Sequence, residues 1–87
     1  MDIAGIRNTI KENISLLTPR EIRILDLRFG VSDGRRRTLQ DAADCLNVEG
    51  YWNVEGYLSR ITRERVRLIE KQALKKIGLY DILAGAF

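Results

Sequence analysis

Apolar positions recur at helical spacings along most of the chain. Ile3, Ile6, Ile10, Ile14 and Leu17 are separated by three, four, four and three residues. That stripe predicts an amphipathic helix over 2–17, with Arg7, Asn8, Lys11 and Glu12 off it. A second helix is predicted over 17–29, where Ile22, Leu25 and Phe29 share a face and Ile24 and Leu27 broaden it. Such a wide face is expected to touch both the core and something outside it. Leu39, Ala42, Ala43 and Leu46 define a short third helix over 38–46, and its alanines let another helix approach closely. Val66, Ile69, Ala73 and Ile77, with Leu74 beside them, form the stripe of a helix over 62–77. Arg63, Glu64, Arg67 and Leu68 fall on its other side, near its start. Leu79, Ile82 and Leu83 mark a short apolar tail of one or two helical turns that caps the core or docks on a partner.

The boundaries carry their own chemistry. Thr18-Pro19-Arg20-Glu21 reads as a capping box with proline in the first helical position. Thr38 with Asp41 repeats the box, and Thr62 is a cap for the last long helix. Gly30 and Gly78 are stops, and Asp33-Gly34 is a turn signal. Between the third and fourth helices NVEGY occurs twice, at 47–51 and 53–57. Two copies are too few for a solenoid, so the stretch reads as a tandem duplication held as an extended turn. It carries Tyr51, Trp52 and Tyr57, expected to pack over the core rather than face DNA or a partner.

These patterns place the 87 residues in one all-α domain. It is a small helical domain of four to five helices containing a helix-turn-helix with an enlarged turn. Its parts are a leading helix (1–17), a helix and basic turn (18–37), a helix-turn-helix (38–77) with an insert at 49–60, and an apolar tail (78–87). Apolar residues make up 45% and charged residues 31% of the chain, a balance that fits a packed core. There is no histidine and one cysteine, Cys45, so neither an internal disulfide nor a structural zinc site is expected. Cys45 is expected to be a small buried hydrophobe. No nucleophile–base pair or phosphate loop is legible, so catalytic residues, cofactors and metals are expected to be none and an enzyme is the least favoured class. No apolar run spans a bilayer, and no signal peptide is expected.

Net charge is +3, but its placement matters more than its size. Arg35, Arg36 and Arg37 form one cluster, and Arg60, Arg63, Arg65 and Arg67 another. Two basic clusters on a small domain fit a polyanion; they also fit two solvated surfaces. A short helix with small residues before an arginine-bearing helix is the layout of a helix-turn-helix, though a generic helical bundle shares it.

Taken in order, Leu17-Thr18-Pro19-Arg20-Glu21, Leu27-Arg28-Phe29-Gly30, Thr38-Leu39 and the run from Thr62 to Lys76 resemble region four of the housekeeping bacterial sigma factors, the sigma-70 family. The resemblance runs from about Leu17 to Ile77 with the insert removed. It implies a helix-turn-helix that recognises the −35 promoter element, with surfaces for the flap of the RNA polymerase β subunit, for activators or for anti-sigma factors. By position it implies base contacts from Arg63 and Glu64, with Arg67 and Leu68 on the same reading face. Arginine can pair with guanine and glutamate can accept from cytosine. It implies DNA backbone contacts from Thr38, Leu39, Thr62 and Arg65, with Arg28, Arg35, Arg36 and Arg37 as further candidates. Arg67, Lys71 and Lys75 are implied to face activators. The implied setting is the cytoplasm of a bacterium, with the gene bacterial or phage-borne, and no membrane or metal partner.

The chain departs from the family pattern at Leu68, where a base-reading glutamine is usual; leucine can instead touch a thymine methyl. It departs at the insert, and at Gly78-Leu79-Tyr80-Asp81, where an Arg-His-Pro segment is usual. The region that melts promoter DNA is absent, so the chain is expected to be a domain of a longer sigma factor or a small standalone relative. Two alternatives follow: a polymerase- or regulator-binding module that has lost DNA reading, and a standalone helix-turn-helix regulator.

Overall fold

The computed structural model describes residues 2–50 and 60–83. The insert aromatics Tyr51, Trp52 and Tyr57 and the end of the tail lie outside these residues. Among the described residues there are five α-helices: α1 (Ile3–Glu12), α2 (Pro19–Phe29), α3 (Leu39–Glu49), α4 (Arg63–Lys76) and α5 (Tyr80–Leu83). Among the described residues there is no strand, as the all-α expectation requires. Nor is any helix among them long and apolar enough to cross a membrane.

Most caps form where the sequence places them. The Thr18 hydroxyl accepts from the Glu21 N–H, and the Glu21 carboxylate accepts from the Thr18 N–H, closing the box at α2. Thr38 and Thr62 accept from the N–H groups of Asp41 and Arg65, which sets the starts of α3 and α4. At the end of α4, Gly78 takes a left-handed φ of 77°. The Leu79 N–H then reaches back to the Leu74 carbonyl at 2.9 Å, satisfying an orphan carbonyl and turning the chain into α5.

Two helix ends differ from the expectation, and so does the burial of some side chains. The leading helix stops at Glu12, and a 3-10 turn, Ile14–Leu16, follows. Asn13 ends it by donating its side-chain amide to the Thr9 carbonyl at 2.8 Å. Ile14 therefore leaves the stripe and is 44% exposed, while Leu17 stays buried. Helix α3 runs one turn past Leu46, because Arg23 of α2 holds the Glu49 carboxylate at 2.7 Å. In the tail Leu79 and Leu83 are buried but Ile82 is exposed. Cys45 is half-buried against the core.

Among the described residues the core has two clusters, and α2 and α4 belong to both. Leu25 and Phe29 of α2 join Ala73 and Leu74 of α4, and Ile77 at its C-terminal cap, against α1 and α5. Ile24 and Leu27 join Val66 and Ile69 against Ala42, Ala43 and Leu46 of α3. The wide apolar face of α2 is thus used twice inside the protein, not at its surface. Burying α4 this way leaves one side of its N-terminal half in solvent.

Candidate nucleic-acid interface

Val66 and Ile69 point α4 into the core, so Arg63, Glu64, Arg67 and Leu68 face out together. The N-terminus of α3 lies next to them. Thr38, Leu39 and Gln40 line one open cleft with Arg28, Arg63, Glu64 and Arg67. The first turns of two helices therefore border the same hollow. Their unpaired N–H groups give the hollow positive potential beyond that of the arginines. Gln40 was not among the sequence-derived candidates; its place two residues after the cap Thr38 is the signal that finds it.

On the reading face, Glu64 is held by its neighbour. Arg67 donates Nε to Glu64 Oε2 at 2.9 Å, with a second bond from Nη2. This pair keeps the Glu64 carboxyl below its ordinary pKa. Both groups are exposed, so the clasp is a screened surface pair that yields readily to a ligand. Leu68, one turn on from Glu64, is 38% exposed and belongs to neither core cluster.

The basic turn is built, not loose. Gly30 has φ 65°, and a Cβ there would meet the Arg35 backbone N at 2.5 Å. Asp26 accepts from the Ser32 N–H at 2.7 Å and from its hydroxyl at 2.9 Å. Asp33 accepts from the Arg35 N–H and from the Arg37 guanidinium, at 2.9 and 2.8 Å. The Arg37 and Arg35 bonds bring the Asp33 carboxyl down to about 2. From α1, Arg7 donates to the Phe29 carbonyl at 2.8 Å and to the Gly34 carbonyl at 3.2 Å. The result presents Arg35 and Arg36 to solvent beside Thr38, while Arg37 is partly tied down.

Arg28 differs from the expectation of a phosphate contact. Its side chain is 13% exposed and pairs with Glu70 of α4 at 2.8 Å. It also donates Nη1 to the Arg37 carbonyl at 2.6 Å. A guanidinium turned to internal partners braces the basic turn against α4. Burial pushes the Glu70 carboxyl above its ordinary pKa, and Arg28 opposes that shift. Sequence reasoning missed Glu70 because its charge placed it on the polar side; a helix flanked by two clusters buries more of its circumference than one stripe.

Thr62 and Arg65 are exposed at the start of α4. Lys71 and Lys75 lie further along, with their ammonium groups 5.5 and 5.2 Å from the centre of the Tyr80 ring. Both ammonium groups thus lie over the Tyr80 ring of α5, and Lys71 also lines a hollow with Arg28, Leu39 and Arg67.

No family model matches the chain, and no solved structure matches it. Curated proteins do. The RNA polymerase sigma factor SigA of Clostridium acetobutylicum is 39% identical over 72 residues, 83% of this chain and 16% of the relative. SigA1 of Synechococcus elongatus is 38% identical over the same share of the chain and 15% of its own length. SigA of Lactococcus lactis subsp. cremoris is also 38% identical, over 16% of its length. The chain belongs to the sigma-70 family. It spans about a sixth of the length of these sigma factors.

Proposed function

We propose that this chain is a transcription-initiation module that reads −35-type promoter DNA in the major groove and works with RNA polymerase. The observation that supports it most is the exposed set Arg63, Glu64, Arg67 and Leu68 on one face of α4, bordering the cleft shared with Thr38, Leu39 and Gln40. Arg63 and Glu64 specify bases, Arg67 releases Glu64 to the DNA, and Leu68 packs on a thymine methyl. Thr38, Leu39, Thr62, Arg65, Arg35 and Arg36 supply phosphate contacts, with Arg37 partly engaged within the turn. Arg28 acts here by holding the turn. The RNA polymerase β flap is the proposed docking partner, and the apolar Ile14 and Leu16, 44% and 57% exposed between α1 and α2, suit a protein surface. Lys71 and Lys75 are the proposed meeting point for activators or anti-sigma factors.

The test selects bound duplexes from a random pool and then measures affinity by gel shift across salt. Arg63→Ala is expected to cost about 1–3 kcal/mol on the selected sequence and relax the preference at one position. Arg36→Ala should weaken all sequences alike and lower the salt slope by about one. Equal, sequence-independent losses from both variants would refute the division of roles. A chain that selects no sequence would refute DNA reading and leave binding to the β flap, measured by pull-down, as the surviving function.

A further inference from the structure

Asn47 and Ile61 are fourteen residues apart, yet their polar groups meet directly. The Asn47 amide donates Nδ2 to the Ile61 carbonyl at 3.0 Å, and the Ile61 N–H donates to Asn47 Oδ1 at 2.8 Å. A primary amide offers a donor and an acceptor side by side, so one side chain satisfies both backbone groups of one residue. Ile61 immediately precedes Thr62, the cap of α4, and stands two residues before Arg63. Asn47 is itself well anchored. It follows the buried Leu46, and the Arg23–Glu49 pair secures the same helical turn to α2.

A helix-turn-helix ordinarily fixes the placement of its second helix with a turn of three or four residues. Here the connection is far longer. A long connection holds its ends only weakly, since closure entropy changes slowly with length. We infer that Asn47 is the positioning residue that stands in for the short turn, so that DNA reading depends on the Asn47–Ile61 clasp and not on the length of the duplicated NVEGY stretch. The inference rests on the DNA-reading function proposed above. Asn47 itself touches no DNA: it sets where α4 begins, and through that where Arg63 and Glu64 stand relative to Thr38 and Leu39.

The experiment uses the 87-residue chain, the duplex selected by the wild type and a scrambled duplex of the same length, well below the melting temperature of every variant. Asn47→Ala is expected to lose about tenfold on the selected duplex, for two hydrogen bonds removed, with the scrambled duplex bound as before. Asn47→Asp keeps the acceptor but sets a carboxylate oxygen against the Ile61 carbonyl, and should lose discrimination in the same way. Deleting residues 53–58, one copy of the repeat, should leave both affinities within about threefold. A purely stabilising Asn47 would lower the melting temperature without changing the ratio of the two affinities. That result overturns the clasp, as does a deletion that alters discrimination as much as Asn47→Ala. If the wild type selects no sequence, the proposed function falls and the clasp's role in reading falls with it. Selection that survives Asn47→Ala removes the clasp alone.

Discussion

The Arg28–Glu70 pair makes the strongest energetic prediction. The two side chains are 13% and 6% exposed and meet at 2.8 Å. Glu70→Leu leaves the nearly buried guanidinium without its carboxylate, with the neutral Arg37 carbonyl among the partners that remain. Stranding a buried charge costs about 3–5 kcal/mol, against about 5–15 kcal/mol of total stability for a domain. Arg28→Met strands the carboxylate instead, which has an escape the guanidinium lacks. Burial already holds the Glu70 pKa above 4.5. Removing Arg28 takes away the charge that opposes that rise, so the carboxyl becomes easier to protonate. A folded-state pKa raised above the unfolded value means stability is fullest below the unfolded value and is lost as pH rises through the folded one. Arg28→Met should therefore be milder at pH 5 than at pH 8, whereas Glu70→Leu, with arginine charged throughout, should show no such gain. The double variant removes both charges and should recover most of the loss, so that the single costs exceed the double by about 2 kcal/mol or more. Urea unfolding followed by helical circular dichroism at both pH values measures all four chains. Single costs below about 1 kcal/mol that add to the double within about 0.5 kcal/mol would refute the buried-pair reasoning. The recovered double variant still lacks the tie from Arg28 to the Arg37 carbonyl, so its phosphate contacts should remain weakened.

Two further outcomes follow from local geometry. Gly78→Ala should cost only about 1 kcal/mol, the strain of its positive φ, because an added Cβ meets nothing within 4 Å. Gly30→Ala adds a 2.5 Å clash with the Arg35 backbone to a similar φ, so it should cost clearly more and disturb the basic turn. Urea unfolding ranks the two, and the reverse order would refute the packing at Gly30. On the selected duplex, replacing a contacted thymine by deoxyuridine removes only the 5-methyl group. If Leu68 packs on it, affinity falls about three- to fourfold, from roughly 0.8 kcal/mol per buried carbon, and Leu68→Gln abolishes that sensitivity; a duplex indifferent to uracil at every thymine would sink the contact.

Local signals in the sequence determined the helices and their starts. Thr18, Thr38 and Thr62 each cap where a threonine precedes an apolar period, because a cap needs only residues within one turn. The outward face of α4 was legible for the same reason: Val66 and Ile69 give its inner side, and Arg63, Glu64, Arg67 and Leu68 then have only the outer side to occupy. The early end of α1 at Asn13 was hidden, since Ile14 keeps the apolar spacing while the backbone leaves the helix. What the tertiary structure alone decided are contacts between residues far apart in the chain. Only packing of α4 between two core clusters buries Glu70 and turns Arg28 from a surface cation into a brace. Only the approach of α3 to α4 brings Asn47 to Ile61. A charge pattern states which residues can pair, but burial, set by the whole fold, decides which of them do.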